Sequence, residues 1–246
     1  MREILYGRQA VREALRARRR HIHRLILAEG VQETGIVGEV VQLAAALSLP
    51  VKRVPRLQLD RIAEAHQGVA LETAPYPYAE VEAILGWARK QAELPWLLAL
   101  DHLQDPHNLG ALLRTAEGVG VHGVVVPDRR AAGVTPAVVS ASAGASEHMR
   151  VAQVVNLVRC LEALKTQGVW VVGLDSRPEA QPYRQADLNL PLVLVVGSEG
   201  EGLSRLTRQT CDVLIRLPMR GQLASLNASV AGGVALYAVL AARTGG

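Results

Sequence analysis

From Pro95 onward the chain alternates short, nearly uninterrupted apolar runs with stretches of helical spacing, and few folds tolerate that pattern. "WLLALD", "GVVVP", "HMRVAQV", "VWVVGLD", "LVLVVG" and "VLIRLP" read as strands. Runs apolar on both faces suit a parallel sheet covered on both sides. Between them, "NLGALLRTAEGVG", "TPAVVSASAGASE", "NLVRCLEALKTQG" and "LSRLTRQTC" read as helices, and "LNASVAGGVALYAVLAAR" as a last one. The expected class is α/β with an open parallel sheet. Such sheets bind ligands at the carboxyl ends of their strands, so the loops there carry the functional question.

The first part of the chain has a different rhythm. "GRQAVREALRA" has helical spacing, "HRLILAE" is a short strand, and "GIVGEVVQLAAALSL" is a helix stopped by Pro50. "VKRV" suggests a strand, "RLQLDRIAEA" a helix and "GVALE" a closing strand. "TAPYPYAE" then interrupts both periodicities with prolines, and "YAEVEAILGWARKQAEL" reads as an exposed amphipathic helix. The expected organisation is a small α/β domain over 1–72, a linker over 73–94, and the parallel-sheet domain over 95–246.

Charge is unevenly spread. The whole chain carries +4, yet residues 2–24 hold eight arginines against two glutamates. A local positive field is expected where a chain grips a polyanion, and Arg8, Arg12, Arg18, Arg19 and Arg20 are the candidate RNA contacts. The two cysteines, Cys160 and Cys211, have neither zinc-ribbon nor disulfide-framework spacing. No metal site is expected, and a reduced, cytoplasmic protein is. The opening residues lack the apolar core of a signal peptide. "SVAGGVALYAVLAA" is too short to span a membrane.

Four stretches invite a ligand. "GVGVHG" matches a dinucleotide fingerprint, but a helix precedes it and a strand follows. The fingerprint needs the reverse order, so a helix end and turn is expected, which weighs against a nucleotide-dependent oxidoreductase. "LPLVLVVGSEGEGLSRL" has the right order, strand, glycine turn and helix, with Gly197 at the strand end. It lacks the lysine of a phosphate loop, and Glu199 suits a cation or a hydrogen-bond donor instead. In "IRLPMRGQLASLNASVAGG", Ser225 is placed to cap a helix and Asn227 lies in its first turn. Ala228, Ser229, Ala231, Gly232 and Gly233 leave room for something to pack closely. In "LDHLQDPHNLGALLRTAEGVGV", a polar loop runs to Asn108, where a helix is expected to start, and Arg114 lies within an otherwise apolar helix. An arginine there more often serves an anion than a core.

The last three stretches, in this order and spacing, resemble the motifs of the SpoU/TrmH family of RNA ribose 2′-O-methyltransferases, in the SPOUT superfamily. "YGRQAVREALR" and "HQGVALE" are similar to the small substrate-binding domain of the RlmB-like members, which resembles a ribosomal-protein fold. The resemblance implies a C-terminal segment threaded into a deep trefoil knot. It implies S-adenosylmethionine held by backbone groups around Gly173, Val196, Gly197, Leu217, Met219, Ser225 and Leu226. It further implies an RNA partner, a homodimer, and methylation of a guanosine ribose in large-subunit 23S rRNA. A tRNA substrate, or a non-catalytic rRNA-binding protein of the same fold, are the alternatives.

The chemistry is attack of a ribose 2′-hydroxyl on a sulfonium methyl group. The leaving group is good, so the protein must align the atoms and accept a proton. The resemblance assigns Arg114 a part in removing that proton, helped by an RNA phosphate. A guanidinium is a poor proton acceptor, which makes a phosphate clamp and electrostatic stabiliser the more conservative role. Asn108, Glu199, Ser225 and Asn227 would position Arg114, the ribose and the loops.

Overall fold

The computed structural model describes residues 2–223 and 225–245. The chain divides into two compact units, Met1–Pro77 with Val134–His148, and Tyr78–Gly133 with Met149–Gly246.

The first unit is a four-stranded sheet with helices against it. In chain order it holds β1 (Glu3–Tyr6), α1 (Arg8–Ala17), β2 (Ile22–Ala28), α2 (Gly35–Ala46), β3 (Val51–Val54), α3 (Arg56–Asp60) and β4 (Val69–Thr73). The strand order is β1-β4-β2-β3. β4 runs antiparallel to both neighbours and β3 parallel to β2. α1 buries Ala10, Val11, Ala14 and Leu15, the one face that its spacing makes apolar. It starts after Gly7 at φ 92 and ends at Arg18 in the left-handed region, whose N–H donates to the Ala14 carbonyl.

Two local expectations fail here. β1 is not apparent in the sequence, because its four residues include Glu3 and, among the described residues, it pairs only with β4. "RLQLDRIAEA" is helical only over Arg56–Asp60 and closes as a 3₁₀ turn at Glu64–His66. Leu59 is buried, but the rest of α3 is exposed, so little packing holds a longer helix together.

The segment Val134–His148 is tied into this unit by a buried ionic clamp. Arg20 donates from Nε to Glu147 Oε2 at 3.0 Å and from Nη2 to Glu147 Oε1 at 2.8 Å. A third bond runs to Glu3 Oε2 at 2.6 Å. The Arg20 and Glu147 side chains are each 1% exposed. Burial pushes the Glu147 carboxyl up, and Arg20 opposes that rise.

The second unit holds α4 (Val81–Lys90), β5 (Trp96–Asp101), α5 (Pro106–Gly118) and β6 (Gly123–Pro127); α6 (Pro136–Ala141), next in the chain, belongs to the first unit. It continues with β7 (Val151–Val154), α7 (Leu157–Thr166), β8 (Trp170–Leu174), β9 (Gln181–Pro182), β10 (Leu192–Gly197), α8 (Arg205–Thr210), β11 (Val213–Arg216) and α9 (Ala228–Thr244). Its sheet has the order β7-β6-β5-β10-β8-β11-β9, and every pairing is parallel. β5 and β10 are buried along their full lengths at its centre, which is why their sequences are continuous apolar runs. α4, expected as an exposed linker helix, buries Ile84, Leu85 and Ala88 in the core of this unit. "GVGVHG" is the end of α5 and a turn at Gly120, φ 82, leading into β6.

The small residues of α9 meet α5 and β10. A Cβ on Gly232 would lie 2.5 Å from Leu112 Cδ2 and 3.3 Å from Val196 Cγ2. Glycine there brings the last helix against the strand end that carries the glycine turn. Among the described residues no helix is long and apolar enough to cross a membrane.

Candidate active site

Parallel strands put their carboxyl ends on one edge of the sheet, and three adjacent strands here, β10, β8 and β11, end around one cavity. Its volume is about 310 Å³, within the range of small-molecule sites. Val196 and Gly197 from β10, Leu217 and Met219 after β11, and Ser225 and Leu226 before α9 all line it. Gly173 does not reach the wall. It lies inside β8, where a Cβ would meet Cys211 Sγ at 2.7 Å, and the next residues, Leu174 and Asp175, line the cavity instead.

The glycine turn after β10 is closed on itself. Ser198 N–H donates to the Gly202 carbonyl at 3.2 Å, and Gly202 N–H returns a bond to the Ser198 carbonyl at 3.0 Å. Gly200 and Gly202 have φ of 82 and 67, values that side chains rarely adopt. The turn is also held from the side. Arg208 donates to the Leu203 carbonyl at 2.6 Å and to Asp175 Oδ2 at 2.7 Å. Asp175 and Arg208 were not singled out from the sequence. Their only signal was a carboxylate at the end of the run "VWVVGLD".

Three polar side chains converge at the rim. Asn108 donates from Nδ2 to Glu199 Oε1 at 2.9 Å. Asn227 donates from Nδ2 to Asn108 Oδ1 at 3.1 Å and also to Glu199 Oε1. They come from positions 91 and 119 residues apart in the chain. Asn108 is buried, and its amide is satisfied in both directions. Such a network fixes the carboxylate of Glu199 at the cavity wall.

Both expected caps move by a few residues. α5 begins at Pro106, capped by Asp105, whose carboxylate accepts from the N–H of His107 at 3.1 Å and of Asn108 at 3.3 Å. Proline is pre-set for the first helical turn, so Asn108 lies inside the helix and its side chain is released to the network. α9 is capped by Asn227, not Ser225, through Oδ1 accepting from Ser229 N at 2.9 Å and Val230 N at 3.3 Å. Asn227 thus uses its oxygen for the helix and its nitrogen for Glu199. Ser225 stands in the cavity wall.

Arg114 lies six residues beyond Asn108, about 9 Å further along α5. It is exposed, does not line the cavity, and has no hydrogen-bond or ionic partner among the described residues. The arrangement leaves its guanidinium available to a ligand outside the cavity.

The candidate RNA arginines separate into two kinds. Arg20 is buried in the carboxylate clamp, which removes it from any surface contact. Arg12 is paired with Glu13 at 2.8 Å and Glu39 at 3.6 Å. Arg16, Arg2 and Arg24 also face glutamates, so much of the sequence-level excess of charge is balanced across the fold. Arg8 and Arg18 are exposed and have no carboxylate partner among the described residues. Arg8 donates to the Gln67 carbonyl at 3.1 Å and lines an open cleft with Gln9, Gln32, Arg56 and Gln67. Arg19 reaches Tyr76 Oη at 3.2 Å.

The profile of the SpoU rRNA Methylase family matches residues 95–237. A second profile, RNA 2′-O ribose methyltransferase substrate binding, matches residues 4–79. The Bacillus subtilis protein YacO, assigned to the TrmH family of tRNA/rRNA methyltransferases, is 45% identical over 242 residues, 98% of this chain and 96% of its own. Among solved structures, the SpoU methyltransferase AviRb from Streptomyces viridochromogenes, in complex with the cofactor AdoMet, superposes with a TM-score of 0.82 at 21% identity. The match covers 100% of this chain and 92% of that one. An AdoMet-bound rRNA methyltransferase from Sinorhizobium meliloti gives 0.77 at 24% identity, covering 97% and 86%. At those identities the two structures speak to the fold.

Proposed function

Since the chain belongs to the SpoU rRNA methylase family, as an RNA methyltransferase of the SpoU/TrmH type, we propose that it methylates a ribose 2′-oxygen of a guanosine in 23S rRNA, with S-adenosylmethionine as donor. The observation that carries the reading is the cavity at the ends of β10, β8 and β11, with the Asn108–Glu199–Asn227 network at its rim.

The cavity suits that donor. Leu174, Leu217, Leu226, Ala228 and Ala231 supply an apolar wall for a base. Asp175 is paired with Arg208 and Arg177, and Glu199 and Glu201 are the carboxylates of the lining with no ionic partner among the described residues, a setting that suits a cationic group. The methyl group comes from the sulfonium of the bound donor. Glycines at 197, 200 and 202 let backbone groups approach the ligand, and Val196, Leu217, Met219, Ser225 and Leu226 complete the enclosure. The return of α9 onto α5 and β10 supports the knotted threading of the C-terminal segment. The exposed face of α9, with Val230, Val234 and Tyr237, is the surface on which we place the homodimer contact. Two free thiols, Cys160 and Cys211, suit a reducing cytoplasm.

Calorimetry with S-adenosylmethionine, beside NAD as a control, tests the donor. Mapping ribose 2′-O-methyl groups on rRNA and tRNA with and without the protein tests the acceptor. A new mark in 23S rRNA is expected. A mark confined to tRNA would move the assignment within the family, and no mark on any RNA would leave a binding protein.

Arg114 acts in this reading as a clamp for an RNA phosphate beside the reacting ribose. Arg114→Ala is expected to lower kcat/KM about 100-fold while the affinity for S-adenosylmethionine stays within twofold. Full methyl transfer by that variant would remove the role. Arg8 and Arg18 are placed on the RNA backbone. Arg8→Ala combined with Arg18→Ala should weaken rRNA-fragment binding and reduce the slope of log K against log salt by up to about 2, roughly one per lost phosphate contact. Filter binding across a salt series reads this, and an unchanged slope rejects it.

A further inference from the structure

The donor cavity has a largely buried arginine in its wall, although the donor itself is a cation. Arg208, on α8, lines the cavity with its side chain 17% exposed. The fold uses it as a brace. Its Nη2 donates to the Leu203 carbonyl at 2.6 Å, at the end of the glycine turn, and its Nε donates to Asp175 Oδ2 at 2.7 Å, just after β8. Leu203 is buried, where a carbonyl needs a partner. Arg208 thus holds the loop after β8 against the turn after β10, and both form walls of the cavity.

A guanidinium in that place opposes a cationic ligand. Asp175 removes the opposition. Its side chain is 6% exposed, and both of its oxygens are engaged, Oδ2 by Arg208 and Oδ1 by the Arg177 N–H at 3.0 Å. The guanidinium of Arg177 comes only to 4.0 Å, on a side chain open enough for water to screen it. Among the described residues, the lining carries three carboxylates, Asp175, Glu199 and Glu201, against two guanidiniums, Arg177 and Arg208. One negative charge is in excess. Without the carboxylate of Asp175 that excess is gone, and Arg208 faces the cavity with its charge uncancelled.

Resting on the donor reading above, we infer that Asp175 is a specificity-determining residue of this site. By cancelling Arg208 it lets the cavity prefer S-adenosylmethionine, with its sulfonium charge, over S-adenosylhomocysteine, the thioether left after transfer. A cavity of about 310 Å³ is on the scale of a Debye length, about 10 Å at 0.1 M salt. The charges of its wall therefore reach a ligand held inside it. The nucleoside and amino-acid portions are common to donor and product, so the ratio of the two affinities isolates the sulfonium. The pair has two separable effects. Arg208 sets the shape of the wall, which both ligands meet alike. Asp175 sets the sign of the field, which the sulfonium alone reports.

Calorimetry on the full-length protein, with S-adenosylmethionine and S-adenosylhomocysteine as separate titrants, reads that ratio. Asp175→Asn should shift it about tenfold against the donor. Arg208→Gln should shift it about tenfold the other way, while both affinities fall as the turn loses its brace. Combining Asp175→Asn with Arg208→Gln should return the ratio to within about threefold of wild type, since both charges are then gone. Asp175→Glu keeps the charge and should keep the ratio, whatever it does to the separate affinities. A purely structural pair would weaken both ligands equally in every variant. An unmoved ratio in Asp175→Asn overturns the inference, and so does a combined variant whose ratio stays shifted. Should Asp175→Asn not fold, which far-UV circular dichroism detects, Arg208→Gln decides alone, and an unmoved ratio there overturns it. Wild-type protein that binds neither ligand overturns the donor reading itself.

Discussion

Gly197→Ala is expected to abolish S-adenosylmethionine binding, with an affinity at least about 100-fold weaker and methyl transfer lost in proportion. The added Cβ would lie 2.1 Å from the Gly202 carbonyl carbon, 2.3 Å from its oxygen and 2.4 Å from Leu203 N. All three are backbone atoms, so no side-chain rotation relieves the clash. The turn is pinned at the same place by its paired Ser198–Gly202 hydrogen bonds. Accommodating a methyl group means opening that pair and moving the wall that carries Ser198, Glu199 and Gly200. A displacement of ~1 Å at a site can cost ~100-fold. Gly200→Ala is the control. Nothing lies within 4 Å of its Cβ position, although φ is +82, so the variant bears only backbone strain of ~1–2 kcal/mol. Calorimetry on both, with far-UV circular dichroism to verify the fold, checks the prediction. Wild-type affinity in Gly197→Ala would show that the turn does not shape the donor site.

Arg20→Ala is expected to destabilise the first unit by about 3–5 kcal/mol, the usual cost of removing one partner from a buried ion pair. The loss leaves Glu147 almost wholly buried without its hydrogen-bonded cation. The pH dependence follows from the direction of its shift. Burial already raises the Glu147 carboxyl above its ordinary value, and Arg20 opposes the rise. A raised carboxyl binds its proton more tightly in the folded state. Its contribution is therefore most favourable below the unfolded-state value near 4.5 and is lost as pH rises through the folded value. Removing Arg20 raises the folded value further, so the stability of Arg20→Ala should fall more steeply than wild type between pH 4.5 and neutrality. Urea unfolding across that range measures it. Arg20→Met with Glu147→Leu should recover part of the loss, because an apolar pair of similar size carries no desolvation cost. A midpoint unchanged in Arg20→Ala would mean that the clamp holds nothing.

Arg20 also shows where linear reading stops. In the sequence it belongs to a run of arginines, "RARRR", that looks like one basic face. In the fold its neighbour Arg18 is exposed and Arg19 reaches Tyr76, while Arg20 is enclosed by Glu3 and by Glu147, the latter 127 residues away. Charge counts along the chain cannot anticipate partners at that separation. Asp101 and His102 teach the same lesson at short range. They are adjacent in sequence, yet the burial that anchors Asp101 and leaves His102 half exposed arises only when β5 lies inside the sheet and Ser204 arrives from beyond β10.

The alternation of apolar runs and helices, by contrast, was sufficient to place β5, β6, β7, β8, β10 and β11 and the helices between them, because burial on both faces writes a continuous apolar signature into each strand. The glycine turn after β10 was legible for a related reason, since a strand, a glycine cluster and a helix form a local pattern. The caps were displaced by a few residues because several polar residues near each helix start can accept the same N–H groups. Packing chose Asp105 and Asn227 and released Asn108 for the network. The sequence by itself determined the parallel α/β architecture, the strand ends around which the cavity forms and the family to which the chain is similar, because these depend on periodicity and local turns. Only the tertiary structure decided which charges are buried, which asparagine caps and which bridges, and that Asn108, Glu199 and Asn227 meet at one rim. Those outcomes depend on contacts between residues far apart in the chain, where desolvation makes the presence or absence of a partner decisive.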